Sequence, residues 1–324
     1  MRSLSDYQKL VEAEINQFVR SNGSLPLYDP VNYIMQLGGK RIRPSLVFIA
    51  NDLFKGDANK AGSLALGVEV FHNFTLLHDD IMDKAPLRRG QATVHEKWSE
   101  NAAILSGDVM FAQAFQLIGK CDSAIQSEVA SLFGQTAVEV CEGQQLDMDF
   151  EKRNDVSIPE YIEMIRLKTS VLIGCALKMG ALCAGAKEDE ANHLYNFGVN
   201  LGIAFQIQDD ILDVFGEQDL VGKQKGGDII ANKKTFLLLQ ALEDASSTQE
   251  AELNTWLSAE SYNPTEKVNS VMEVYEAVGV KAKAEKEMED YFNTALNDLE
   301  TLSLADDSKS FLIEFAKGLI DRKF

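Results

Sequence analysis

The chain has 324 residues, with 31 basic and 50 acidic side chains and a formal charge of −19. That balance excludes a protein that holds nucleic acid through phosphate contacts alone. Apolar residues at 45% and charged ones at 25% exclude a disordered chain, and only 6 prolines favour long uninterrupted helices.

In chain order, Leu10, Ile15 and Phe18 predict a first helix face. Tyr33, Ile34 and Leu37 predict a second helix, ended by Gly38 and Gly39. Pro44 is expected to open the next helix at its first position. Residues 61–83 then form a helix that is apolar on nearly every side. Leu64, Val68 and Phe71 lie on one flank, and Leu66, Val70, Phe74 and Leu77 on another. Leu87-Arg88-Arg89-Gly90 is read as a loop. Ser157-Ile158-Pro159-Glu160 reads as a capping box with proline in the first turn. The helix it opens is expected to carry Lys168 and Thr169. Residues 194–213 form a second helix that is apolar all round, and such helices belong in a protein's middle. Near the end, Met288, Tyr291, Phe292, Ala295, Leu296 and Leu299 make a helical stripe. Period-two runs and hairpin turns are scarce. The expected fold is all-α, a single domain over residues 1–324.

The four cysteines, Cys121, Cys141, Cys175 and Cys183, form no CxxC pair and have no histidine at zinc spacing. Thiols this sparse suggest a reducing compartment. The N-terminus has no apolar core of the signal-peptide kind. The most apolar stretch, residues 169–186, is interrupted by Lys178 and by glycines. A bilayer takes about 20 apolar residues. A cytoplasmic protein that does not span a membrane is expected.

Both apolar helices end in carboxylates. Asp79-Asp80-Ile81-Met82-Asp83 and Asp209-Asp210-Ile211-Leu212-Asp213 are nearly the same pentapeptide. On a helix Asp79 and Asp83 share a face, as do Asp209 and Asp213, and the middle aspartates point elsewhere. Like charges at that spacing repel, and burying them is costly without a compensating cation. Oxygen donors with no His or Cys inside either pentapeptide suit a hard ion such as Mg²⁺, which takes one or two carboxylates plus substrate phosphates. The alternative for either motif alone is a solvated helix end. A calcium EF-hand is excluded by the spacing.

Cations sit near these motifs. Gly38-Gly39-Lys40-Arg41-Ile42-Arg43-Pro44 places three beside a helix N-terminus, which already attracts anions. Arg88 and Arg89 follow the first carboxylate motif, and arginine suits bidentate phosphate contact. Lys223, Lys233 and Lys234 follow the second motif. Taken singly, each loop could be a solvated basic segment and each lysine a surface one.

With GGKRIRP, HDDIMD followed by RRG, and FQIQDDILD followed by a lysine pair, the chain resembles the polyprenyl synthetase family of trans-isoprenyl diphosphate synthases. The family includes farnesyl and geranylgeranyl diphosphate synthases, and the resemblance runs from about Pro30 to Leu239. It implies helices around a central apolar cavity, a homodimer, Mg²⁺, and two substrates, isopentenyl diphosphate and an allylic diphosphate. By resemblance, Asp79, Asp83 and Asp209 are the main magnesium ligands, and Asp80, Asp210 and Asp213 complete the motifs. Lys40, Arg43, Arg89 and His72 match contacts to isopentenyl diphosphate. For His72 the alternative is a core histidine satisfied by a backbone carbonyl. Arg88, Lys168, Lys223 and Lys233 match contacts to the allylic diphosphate, and Thr169 and Gln206 match polar groups facing the reacting carbon. Ala92 departs from the proline commonly found there.

The implied reaction is head-to-tail prenyl transfer with a short product, geranylgeranyl or farnesyl diphosphate. Phe74, five residues before Asp79, resembles a chain-length stop, although it could simply be core. Three alternatives remain at this level. A longer-chain polyprenyl diphosphate synthase differs only in where the product stops. A terpene cyclase needs no second diphosphate site, so GGKRIRP and RRG argue against it. A non-catalytic synthase subunit would have lost carboxylates, and all six are present.

Overall fold

The computed structural model describes residues 1–216, 226–259 and 261–321. The fold is all-α. The first half carries α1 (Leu4–Ser21), α2 (Tyr28–Gln36), α3 (Ile42–Leu53), α4 (Ala58–Met82), α5 (Val94–Lys97), α6 (Glu100–Ile118) and α7 (Gln126–Phe150). The second half carries α8 (Ile158–Ile165), α9 (Val171–Cys183), α10 (Glu188–Phe215), α11 (Gly227–Ile230), α12 (Phe236–Asp244), α13 (Ser247–Ser258), α14 (Pro264–Val278), α15 (Val280–Glu300) and α16 (Asp306–Ile320). A two-stranded antiparallel ladder joins β1 (Leu87–Arg88) to β2 (Gln91–Ala92), with Leu87 opposite Ala92. No helix among the described residues is long and apolar enough to cross a membrane.

The chain divides into two compact units. The first comprises Met1–Thr136 and Leu172–Tyr195, the second Ala137–Val171 and Asn196–Phe324. In the first unit α4 is buried on every side, through Leu64, Ala65, Leu66, Val68, Val70 and Phe71. Each buried Leu, Val or Phe contributes roughly 1.5–3 kcal/mol of transfer free energy. That burial explains why α4 shows no polar face. In the second unit α12 packs against α14, burying Leu237, Leu238 and Leu239 on one helix and Val271 and Tyr275 on the other.

Four local expectations are corrected. The buried face of α1 is Tyr7, Val11, Ile15 and Phe18, and Leu10 is only half-buried. Pro44 is not the first residue of α3. Arg41 adopts a left-handed conformation (φ 49°) and caps the helix, so α3 begins at Ile42. Pro44 still lies in the first turn, where a missing N–H costs nothing. Leu87–Gly90 is a loop only in part: Leu87 and Arg88 form strand β1, and Arg89 and Gly90 make the turn of the small hairpin. The helix opened by Ser157 does not run unbroken through Lys168. Its capping box is formed as expected, but residues Arg166–Ser170 make a π-helical turn between α8 and α9. Such turns occur mostly as single insertions, frequently at functional sites.

Candidate functional site

In the first unit, α4 delivers Asp79 and Asp80 on its last turn, and Asp83 caps it, its N–H donating to the Asp79 carbonyl at 2.8 Å. Asp79 is half-buried and Asp83 exposed. Asp80 points elsewhere. It is buried, and both its oxygens accept from Arg88 Nε, at 2.9 and 2.8 Å, with Arg88 Nη2 at 2.7 Å. Arg88 is thereby held over the end of α4 by a bidentate pair.

The basic loop is built around Arg41, one of the three cations read from the sequence. Its guanidinium is buried and donates to Glu69 at 2.6 Å, Glu12 at 2.8 Å and the Met35 carbonyl at 2.7 Å. Asn73 donates to the same Glu69 oxygen at 2.9 Å. This network pins the loop to α4 and leaves Lys40 exposed. Arg43 Nη1 lies 3.3 Å from His72 Nε2. Burial first, and then the cations of Arg43, Arg89, Arg88 and Arg41, hold His72 well below its usual pKa. The ring is neutral, and with its proton on Nδ1 it accepts from Arg43. Arg89 donates to the Gly38 carbonyl, and its guanidinium lies where a Cβ on Gly39 would sit, 2.9 Å from it. Only glycine allows that approach, and the φ of 136° at Gly39 independently requires it. Partial burial, and then Arg41, pull Arg89 below its usual value. Cations that raise one another's energy this way would be relieved by a multiply charged anion.

The hairpin is closed by Tyr33, whose hydroxyl donates to the Ala92 carbonyl at 2.8 Å, and by Thr93 on the Ala85 carbonyl at 2.8 Å. These bonds fix the segment at the position where a proline is absent. Further back on α4, Phe74 packs edge-on against Phe111 (centroids 5.2 Å) and His78 (4.7 Å). Phe71, Phe115 and Phe133 extend this aromatic cluster.

In the second unit a cleft is lined by Asp147, Lys168, Thr169, Gln206, Asp210 and Lys233, among others. The π-turn aims Lys168 into it, and Lys168 Nζ donates to Asp147 at 2.6 Å. The backbone of the turn lies against Gly143 of α7, where a Cβ would come within 2.7 Å of Lys168 Cα. Asp210, the middle aspartate, is buried and accepts from Tyr161 Oη at 2.5 Å and Phe236 N–H at 3.1 Å. Burial pushes its carboxyl up to about 8, and those two hydrogen bonds oppose the rise. Asp213 Oδ2 accepts the Asp228 N–H at 3.0 Å. Asp209 is half-buried on the last turns of α10. Lys223 lies outside the described residues.

The polyprenyl synthetase family pattern matches residues 25–278. The chain belongs to the polyprenyl synthetase family. It is 36% identical to the short chain isoprenyl diphosphate synthase of Methanothermobacter thermautotrophicus, over 100% of this chain and 98% of that one. It superposes on a crystal structure of a geranylgeranyl pyrophosphate synthase with a TM-score of 0.95 and 45% identity, covering 100% of both chains. The geranylgeranyl pyrophosphate synthase of Corynebacterium glutamicum, solved with isoprenyl diphosphate and magnesium, aligns with a TM-score of 0.89 and 25% identity, over 99% of this chain and 100% of that one.

Against this polyprenyl synthetase background, the structure brings Arg43, His72 and Arg89 together in the first unit. It brings Lys168, Thr169, Gln206, Asp210 and Lys233 together in the second. Sequence reasoning missed Glu69, Asp147 and Tyr161, and it counted Arg41 among the cations of its loop without foreseeing that Glu12 and Glu69 bury its guanidinium. Glu69 carried a signal, a lone carboxylate inside an apolar helix. Asp147, one acid among several on α7, carried none. Among the described residues no three His, Cys, Asp or Glu side chains form a ready-made metal cage. The oxygen-only donors at the ends of α4 and α10 fit an ion that keeps its waters and shares substrate phosphates, as Mg²⁺ does.

Proposed function

We propose that this polyprenyl synthetase condenses isopentenyl diphosphate head-to-tail with an allylic diphosphate to give a short-chain product. The observation that carries this reading is the cleft that gathers Lys168, Thr169, Gln206, Asp210 and Lys233 from three separate segments, the π-turn, α10 and the chain after α11. Cations for the departing diphosphate, and a hydroxyl and an amide for the allylic cation, are what ionisation of an allylic diphosphate needs.

Asp79, Asp83, Asp209 and Asp213 are assigned to Mg²⁺, which when bound supplies Lewis-acid neutralisation of the diphosphate. Asp80 and Asp210, whose oxygens are engaged by protein donors, act by fixing Arg88, Tyr161 and the start of α12. Lys168, Lys223, Lys233 and Arg88 hold the diphosphate as its bond to the allylic carbon breaks, so the cations meet charge where it develops. The Thr169 hydroxyl and the Gln206 carbonyl turn negative dipole ends toward the allylic cation. Lys40, Arg43 and Arg89 hold isopentenyl diphosphate, and neutral His72 orients Arg43. The double bond of that substrate attacks the cation, and a proton passes to the released diphosphate. Phe74, backed by Phe111, limits the growing chain, which favours geranylgeranyl diphosphate, with farnesyl diphosphate second. The family pattern draws on both units, supporting one catalytic domain. Exposed Ile104 and Leu105 on α6 offer an apolar face for a second copy, in keeping with a homodimer. The sparse thiols suit the cytoplasm, a reducing compartment.

The test is incubation of purified protein with labelled isopentenyl diphosphate, an allylic diphosphate and Mg²⁺, followed by mass analysis of the dephosphorylated product. A product longer by whole five-carbon units is expected. Release of diphosphate without isopentenyl diphosphate, or no turnover with any allylic primer, contradicts the reading.

A further inference from the structure

Lys267 of α14 is 1% exposed, among the most deeply buried charged side chains of the described residues. A buried ammonium is costly unless polar groups replace its water. Among the described residues Lys267 has no carboxylate partner. Its Nζ instead donates to Asn232 Oδ1 at 2.5 Å and to the Ile230 carbonyl at 3.4 Å, and it lies 4.3 Å from the centre of the Tyr262 ring. The Tyr262 hydroxyl donates to the same Ile230 carbonyl at 2.8 Å, and Asn232 Nδ2 donates to the Leu257 carbonyl at 3.1 Å.

These partners bracket one piece of backbone. Ile230 is the last residue of α11, and Asn232 sits in the left-handed region with φ 56°. A non-glycine residue is held there at some strain. The next residue is Lys233, whose N–H donates to the Asp228 carbonyl at 3.0 Å and whose carbonyl accepts from Thr235 N–H at 3.0 Å. At the other end of the segment, Asp228 N–H is held by Asp213 of the second carboxylate motif. The path of the chain into Lys233 is therefore set by the left-handed turn, and Lys267 spans that turn from a carbonyl on one side to an amide oxygen on the other.

We infer that Lys267 is a positioning residue for the transfer reaction: its buried ammonium, bridging the Ile230 carbonyl and the Asn232 side chain, fixes the turn that aims Lys233 at the departing diphosphate. This rests on the assignment of Lys233 made under Proposed function. A helix end also favours a cation electrostatically, but a purely stabilising role would leave the chemistry untouched once the protein is folded.

The experiment measures the single-turnover rate of full-length protein with isopentenyl and allylic diphosphates, for Lys267→Met, Lys233→Ala and the double variant. Methionine keeps the buried stem and removes the charge, so the melting temperature is expected at or above that of the parent. The rate is expected to fall about ten- to a hundredfold, the scale for a reacting group misplaced by about 1 Å. KM for isopentenyl diphosphate should stay within about twofold of the parent. The double variant should be no slower than Lys233→Ala, because both changes remove one action. Should Lys267→Met not fold, Asn232→Gly removes the bridging oxygen, keeps the positive φ at no steric cost, and is expected to show the same rate loss. A parent-like rate in these variants, or losses that multiply in the double variant, overturns the inference. A parent-like rate in Lys233→Ala overturns instead the assignment of Lys233 on which it rests.

Discussion

Gly143→Ala places one methyl group against the π-turn. The new Cβ would lie 2.7 Å from Lys168 Cα and 2.8 Å from the Leu167 carbonyl carbon, and closer still to the Lys168 nitrogen. Carbon atoms in contact settle at about 3.5–4 Å, so the turn and α7 must separate by about 1 Å. The obstruction is backbone, which cannot swing aside as a side-chain tip would. Overpacking of this kind costs about 1–3 kcal/mol, and replacing a mid-helix glycine by alanine returns about 0.5–1 kcal/mol. The net loss is about 0–2.5 kcal/mol, a modest change in urea unfolding. The effect on turnover is larger, because a shift of about 1 Å at Lys168 and Thr169 costs up to about a hundredfold in rate. Gly134→Ala, on the same helix, is the control. A Cβ there meets nothing within 4 Å, so it should stabilise by about 0.5–1 kcal/mol and leave the rate alone. Equal rates for Gly143→Ala and Gly134→Ala would refute the reasoning.

Phe74→Ala opens the aromatic cluster beside Phe111 and should lengthen the product by at least one five-carbon unit. Unchanged chain length by mass analysis would return Phe74 to a core role. Asp210 predicts a pH dependence in metal-free protein. Its carboxyl is raised by burial from 3.8 to about 8, so the native state binds this proton more tightly than the unfolded chain. The resulting stability is fully present below about pH 4 and is lost as pH rises through about 8. Asp210→Asn should flatten that part of the denaturation profile recorded in chelator, and an unchanged slope would count against the buried protonated carboxyl.

Much of this was legible locally. The capping box at Ser157 and the carboxylate-tipped apolar helices are set by short-range patterns, and they stand as read. What was not legible depends on contacts distant in sequence. Pro44 looked like a helix start because proline favours the first helical position, and Gly38 and Gly39 are not the only left-handed residues before it. Arg41 takes that conformation as well, because Glu69 and Glu12 hold its guanidinium. The π-turn at Lys168 has no signature of its own, and it sits against Gly143 and beside Gly202, whose missing side chains let backbone approach. The middle aspartates joined their motifs by spacing, but only folding supplies the Arg88 and Tyr161 donors that occupy them. Lys267 reads as one more surface lysine until its partners on α11 are seen.

The central claim is that both carboxylate pairs are needed to bind the allylic diphosphate through magnesium. It is tested most directly by calorimetric titration of an unreactive allylic thiodiphosphate into parent, Asp79→Asn and Asp209→Asn proteins, with Mg²⁺ and with chelator. Tight binding by the parent only with Mg²⁺ is expected, with loss of that metal-dependent binding in each variant. Metal-dependent binding that survives in either variant would contradict the claim.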